Sequence, residues 1–464
     1  MDFITPHFDG GRGKTLYFQL YEHIKNEILN GQLRQGDKLP SKRRLSVHLH
    51  VSQNTIQSAY DQLAAEGYIS TVPKSGHYVN ALEELMPLKV AAAPSGLKPD
   101  SKPYRYDFSP GGVDLESFPF RTWKRLNNEV LDENDPDLLL PGDPRGYHAL
   151  RAAISSYLHQ SRGVVCDAER IIVSSGTEYL LQLLIQLLGK DHVFALENPG
   201  YEKTNLIFES NGLSFVGVPV DESGMSFSAL SESRADVACI TPSHQFPTGV
   251  IMPIQRRMQL LNWAYGSSGR YIVEDDYDSE FKYAGRPIPA MQGIDEGEKV
   301  IYMGSFSKSL TSGLRISYMA LPRHLFDRYS AKLSFYICPV SIVQQKCLHL
   351  FIERGHFERH LNKMRVIYRK KRELLADAVA TNMRNVRILG ANAGLHLLLQ
   401  VENGMTESQL VESAAKREVG LCASSRYYLQ QKPYEPSPRV LLGYAAVTER
   451  QISEAADLLK QAWF

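Results

Sequence analysis

Five short apolar runs constrain this chain more than anything else in it: Ile171-Ile172-Val173, Val193-Phe194-Ala195-Leu196, Val237-Ala238-Cys239-Ile240, Tyr271-Ile272-Val273 and Val300-Ile301-Tyr302-Met303. Amphipathic stretches of helical period separate them. Runs this short and this continuously apolar are strands covered on both faces, and the helices between them supply the cover. The pattern predicts an α/β unit with a largely parallel sheet and helices on both sides, beginning near Tyr104. Ligands in such sheets gather beyond the carboxyl ends of the strands. The polar residues after each run are therefore where chemistry is expected.

Three of those strand ends are informative. Ser174-Ser175-Gly176-Thr177-Glu178 follows the first run and opens a helix from Tyr179 to Leu188. A glycine turn into a helix N-terminus offers free amides and a favourable dipole to a phosphate, although a tight strand-helix turn alone would read the same way. Glu274-Asp275-Asp276-Tyr277-Asp278 follows the fourth run, and in isolation its four carboxylates also fit a divalent ion. Gly304-Ser305-Phe306-Ser307-Lys308 follows the fifth, with Arg315 beyond. As a set they match the needs of pyridoxal 5'-phosphate. That coenzyme requires an amine for a Schiff base, a carboxylate at its pyridine nitrogen, a donor at its phenolic oxygen and a cationic, amide-rich cup for its phosphate. Burial and neighbouring cations would lower the pKa of Lys308 and make it a usable nucleophile.

The first eighty residues carry a different pattern. Leu16, Leu20, Ile24 and Ile28 mark one amphipathic helix that stops at Asn30-Gly31. Ser41 is placed to cap a second helix through Leu45 and Leu49, and Ser52 a third carrying Ile56, Ala59, Tyr60 and Leu63 inward. Tyr68–Val72 and His77–Val79 then alternate around Pro73-Lys74-Ser75-Gly76 as two strands and a tip. Three helices and a hairpin form a winged helix-turn-helix, whose third helix enters the major groove of DNA. Ser52, Gln53, Asn54, Thr55 and Gln57 point outward there, with side chains able to donate and accept at base edges. Arg43, Lys74 and His77 would lie near phosphates or the minor groove.

The net charge of +1 says nothing for nucleic acid, but between residues 32 and 58 five cations face the single acid Asp37. Residues 81–104 lose periodicity and read as a Pro-containing tether, giving three segments: 1–80, 81–104 and 105–464. Five scattered cysteines form no Cys-x-x-Cys pair, which fits a reducing compartment and neither a disulfide framework nor a structural zinc site. Met1-Asp2-Phe3-Ile4-Thr5 lacks a signal-peptide profile, and Leu180–Leu188 is too short to span a bilayer, so a cytoplasmic location is expected.

Residues 16–79 resemble the GntR family of winged-helix domains, above all in Leu39-Pro40-Ser41-Lys42-Arg43-Arg44-Leu45 and Val51-Ser52-Gln53-Asn54-Thr55. Residues 105–464 resemble a fold-type I aminotransferase. The shared stretches include Glu197-Asn198-Pro199-Gly200-Tyr201, Thr241-Pro242-Ser243-His244-Gln245-Phe246-Pro247 and Gly313-Leu314-Arg315-Ile316-Ser317-Tyr318-Met319. The whole chain is similar to the MocR type of GntR regulator, and most to its GABA-responsive kind. The resemblance implies a large, mostly parallel mixed sheet with a smaller C-terminal α+β subdomain, and a head-to-tail, domain-swapped homodimer on an operator. It assigns DNA contacts to Ser41, Arg43, Ser52, Asn54, Thr55 and Gly76. It makes Lys308 the Schiff-base lysine, Asp275 the partner of the pyridine nitrogen and Tyr277 that of the phenolic oxygen. Gly176, Thr177, Ser305, Ser307 and Arg315 would hold the phosphate, Tyr201 would stack on the ring, and Arg426, with Lys203, would bind the carboxylate of an amino-compound effector sensed as an external aldimine.

Two positions depart from the pattern. Phe246 stands where aminotransferases of this fold place an asparagine, and Lys203 where the GABA-responsive relative has arginine, keeping the charge without the bidentate fork. A working aminotransferase with an autoregulatory front domain is the rival reading. His356 and His360 are expected on a solvated helix face, Arg145 in a turn and Cys422 as a small buried filler, with no metal site among them.

Overall fold

The computed structural model describes residues 15–81, 104–132, 135–283, 288–429 and 438–464. The chain divides into two compact units, Met1–Ser101 and Lys102–Phe464. The tether expected over 81–104 falls almost wholly outside the described residues, as does the N-terminal segment.

In the small unit, helices α1 (Leu16–Leu29), α2 (Lys42–Leu49) and α3 (Gln53–Ala65) precede a hairpin of β1 (Ile69–Val72) and β2 (Gly76–Val79). The expected caps are formed: Ser41 Oγ accepts from the Arg44 amide at 3.3 Å and Ser52 Oγ from the Thr55 amide at 3.1 Å. Each such cap contributes about 1 kcal/mol. Leu20, Ile24, Leu45, Ile56, Tyr60 and Leu63 are fully buried in one cluster, at roughly 1.5–3 kcal/mol per apolar side chain. Tyr60 also donates to the Pro40 carbonyl at 2.9 Å, which holds the loop before α2 onto α3.

The large unit is built on an eight-stranded sheet. Its strands are β4 (Ile171–Ser174), β5 (Val193–Asn198), β6 (Ser214–Asp221), β7 (Gly224–Met225), β8 (Val237–Ile240), β9 (Tyr271–Asp276), β10 (Val300–Ser305) and β11 (Ser317–Ala320), in the order β4-β11-β10-β9-β8-β5-β6-β7. β3 (Tyr106–Asp107) lies apart and pairs with β14 (Val419–Gly420). All five apolar runs of the sequence are strands here. β6, β5, β8, β9 and β10 are mutually parallel, and β11 runs antiparallel to both β10 and β4. The carboxyl ends of β4, β5, β8, β9 and β10 thus share one edge. A smaller antiparallel sheet, β12 (Val386–Leu389), β13 (His396–Val401), β16 (Arg439–Gly443) and β15 (Cys422–Ala423), packs with helices His356–Asn382 and Glu449–Trp463. Among the described residues no helix is long and apolar enough to cross a membrane.

Candidate coenzyme and DNA sites

Strand alternation sorts the acids of β9. Glu274 accepts from the amides of Met291 and Gln292 at 2.9 and 3.0 Å and lies 3.8 Å from Arg257. Asp276 takes Arg162 Nε at 2.8 Å and the Tyr302 hydroxyl at 2.6 Å. Asp275, between them, points to the other face. Asp278, past the strand, meets His244 Nδ1 at 2.9 Å. Glu274, Asp276 and Asp278 therefore take separate partners, and the described residues hold no cluster of metal-ligand type. Burial pushes the Asp275 carboxyl up to about 7, and the neighbouring carboxylates Asp276, Asp278 and Glu197 add to the shift. No cation among the described residues offsets it.

Lys308 follows β10 at the same edge, where Met303 lies opposite Asp275 across the ladder. Its Nζ donates to the Pro110 carbonyl at 2.7 Å. Burial lowers the amine to about 8, against a smaller opposing pull from Asp278. Tyr277 Oη lies 3.0 Å from His244 Nδ1.

The phosphate side is assembled from β4, β10 and the loop before β11. Gly176, at φ +87°, precedes helix α6 (Thr177–Leu188; α4 is Phe120–Asp132 and α5 His148–Arg162). A Cβ on Gly176 would lie 2.1 Å from Arg315 Nη2, so the guanidinium closes over bare backbone. Ser305 Oγ accepts from the Ser307 amide at 3.4 Å. Arg315 Nη2 donates to Glu178 Oε2 at 2.7 Å, and Lys203 Nζ donates to Glu178 Oε1 at 3.1 Å.

These donors fit pyridoxal phosphate on chemical grounds. A buried carboxylate without a cation matches a protonated ring nitrogen, a lowered amine matches an aldehyde, and the glycine cradle under Arg315 at a helix N-terminus matches a phosphate. Tyr201, Lys203 and Arg426 lie at the more open side. Arg426 Nε donates to Glu202 Oε2 at 2.7 Å and the side chain is 61% exposed. Lys203 is 57% exposed. The Phe246 ring meets Tyr201, Tyr277, His396 and Tyr427 edge-on, with centroids 4.8–6.4 Å apart. An aromatic box thus forms around Phe246, the position already marked as a departure from the aminotransferase pattern.

On the small unit, Ser52, Gln53 and Asn54 are exposed at the start of α3, and Ser41 and Arg43 at the start of α2. Thr55 is partly covered, its hydroxyl 2.8 Å from that of Ser52. Lys74 (φ +61°) and Gly76 (φ +126°) shape the wing tip. Two of the expected DNA-facing side chains also have partners within the unit. Gln57 spends its amide on Lys42 and Asp61. His77 packs its ring against Tyr60 at 4.8 Å and bonds Thr71 at 2.9 Å, because the hairpin register sets it opposite Thr71 on the side facing the core.

A family model for aminotransferase class I and II matches residues 110–459, and one for bacterial regulatory proteins of the gntR family matches 16–79. The chain is 41% identical to the uncharacterised HTH-type transcriptional regulator YdeL of Bacillus subtilis, over 99% of both chains. It is 32% identical to the probable rhizopine catabolism regulatory protein MocR of Rhizobium meliloti, over 97% of this chain and 94% of the relative. This chain is a MocR-type GntR regulator. The MocR-type regulators are DNA-binding transcription factors whose aminotransferase-like domain belongs to a pyridoxal-phosphate-dependent family. The fold of that domain is similar to the multiple substrate aminotransferase of Thermococcus profundus, with TM-score 0.70 and 25% identity over 82% of this chain and 97% of the other.

In this MocR-type regulator several residues of the site carry no sequence signal of their own. Glu178, Asp278 and His244 fall in stretches the sequence singles out but without a role of their own, and His396 and the Pro110 carbonyl join the site only through the fold. His360 corrects an expectation: it is 7% exposed, buried rather than solvated. Arg145 does serve a turn, bonded to Asp143 and Glu169. Cys422 is half-buried near Tyr427.

Proposed function

We propose that this regulator senses an amino compound bearing an acidic group at Lys308 and converts its presence into altered operator binding. The observation that carries the reading is a primary amine lowered to about 8 on the same strand edge as a buried carboxylate without a cation. When bound, the coenzyme supplies an aldehyde that condenses with amines and a ring that withdraws electrons. Lys308 anchors it, Asp275 holds the proton on the ring nitrogen, and Tyr277 donates to the phenolic oxygen. Gly176, Thr177, Ser305, Ser307 and Arg315 hold the phosphate, and Tyr201 covers the ring.

Arg426 and Lys203 receive the acidic group of the effector. Both are paired with glutamates at exposed positions, where an ion pair contributes about 1 kcal/mol or less, so an incoming carboxylate displaces them at small cost. Phe246 favours sensing over turnover, since an apolar ring replaces a polar contact to the phenolic oxygen. Ser52, Gln53, Asn54 and Thr55 read bases, while Ser41, Arg43, Lys74 and the Gly76 backbone fix the register on phosphates. The effector shifts the balance between two arrangements because it contacts them differently. A cytoplasmic homodimer completes the reading, as two half-sites on DNA match a twofold protein.

Lys308→Ala tests it, by visible absorbance and by operator binding with and without small amino acids. Absorbance and effector response are expected to vanish while basal operator binding persists. An intact response removes the mechanism; rapid release of a keto acid by the unaltered protein would favour an enzyme instead.

A further inference from the structure

Next to Tyr277 lies a buried pair that the reading above does not use. His244 and Asp278 are 1% and 2% exposed, and His244 Nδ1 is shared between Asp278 Oδ2 at 2.9 Å and Tyr277 Oη at 3.0 Å. We infer that His244, oriented by Asp278, is a positioning residue that aims the Tyr277 hydroxyl proton at the phenolic oxygen of the coenzyme. The inference rests on the role given to Tyr277 and extends it.

The argument begins with competition for one nitrogen. A carboxylate is a far stronger acceptor than a phenol, so Asp278 claims the Nδ1 hydrogen and fixes that tautomer. Nδ1 then has no lone pair for Tyr277, and the Tyr277 oxygen can only accept a share of the same N–H. Its own hydrogen is left to point away from the histidine. Without His244 that hydroxyl would lose a fixed reference and could turn.

The surroundings hold the ring still. Gly394, at φ +71°, is bare where a Cβ would lie 1.9 Å from His244 Cε1. Its carbonyl accepts from Tyr283 and Tyr444 at 3.0 and 2.6 Å, which fixes the wall on that side. On the other side His396 lies with its ring centroid 4.7 Å from that of His244, and its Nε2 contacts the Pro247 carbonyl at 3.2 Å. The charged and titratable groups around the pair are Asp278, Tyr277, His396 and Lys308, with Asp275, Asp276 and Glu197 facing Tyr277. Burial holds His396 well below the usual histidine range, so it does not compete as a cation for Asp278. Phe246 offers no polar atom to take over the task.

The test is a pH titration of the visible absorbance of coenzyme-loaded protein. A donor on the phenolic oxygen drains the charge that keeps a proton on the Lys308 nitrogen, so losing the donor raises the midpoint. Tyr277→Phe and His244→Ala are each expected to raise it by about one unit. The double variant should move no further than Tyr277→Phe alone, because the histidine acts through the tyrosine. His244→Asn, which keeps an N–H near the Nδ1 position, should stay near the parent value and also guards against loss through misfolding. An unmoved midpoint in His244→Ala, or additive shifts in the double variant, overturns the positioning role while leaving Lys308 as anchor. Parent protein with no coenzyme absorbance at all overturns both.

Discussion

The two units reach function by opposite routes. In the small unit the residues proposed to meet DNA stand on the open ends of α2 and α3, and the core that supports them is separate and apolar. In the large unit the site residues are themselves part of the interior. Asp275 and Lys308 are shifted by burial, and Lys308 rests on a carbonyl 198 residues away in sequence. Apart from the capping serines Ser41 and Ser52, recognition and stability are therefore separable in the first unit and entangled in the second.

That contrast can be broken. Ile56→Ala should cost about 2–5 kcal/mol through the cavity it leaves, a large share of the stability of so small a domain. Operator binding should collapse with the helical signal of that unit, while the visible absorbance of bound coenzyme stays. Loss of both signals together would mean the units are not independent. Asp275→Asn should weaken coenzyme binding by about 10- to 100-fold, read by fluorescence titration, because a charge-assisted bond becomes a neutral one.

The acid-base prediction is next in size. Coenzyme capture by the apo-protein should accelerate as pH rises, with a midpoint near 8, since only the neutral Lys308 amine adds to an aldehyde. The same lowered pKa makes the unfolded chain hold the extra proton between about 8 and 10.5, so apo-protein stability contributed by Lys308 rises with pH across that window. Ser52→Ala should remove about 1 kcal/mol from the small unit alone, seen as a lower melting point. Arg43→Ala should lessen the salt dependence of operator binding by about one unit of slope without changing base preference.

Legibility in the sequence follows the same division. The winged helix could be read nearly residue by residue because its signals are local: Ser41 and Ser52 are caps, and Ile56, Tyr60 and Leu63 recur on one face. The packing of His77 on Tyr60 was not legible, because its side is set by the ladder with Thr71, which one strand alone does not specify. In the large unit the five apolar runs foretold the sheet, and its strand ends foretold where Lys308 and Asp275 would stand. Composition could not say which of the adjacent acids Asp275 and Asp276 faces the site; strand alternation, anchored by Arg162, decides it. His244 lies in a stretch that the resemblance marks but gives no role, and only the fold carries it to Tyr277.

The alternation along β9 has one more effect. A one-residue slip of Tyr271–Asp276 would swing Asp275 toward Arg162 and Arg257 and strand two acids on the coenzyme side. The guanidinium groups of Arg162 and Arg257 thus act as a detent, and damage to either would misalign Asp275 from the opposite face of the strand.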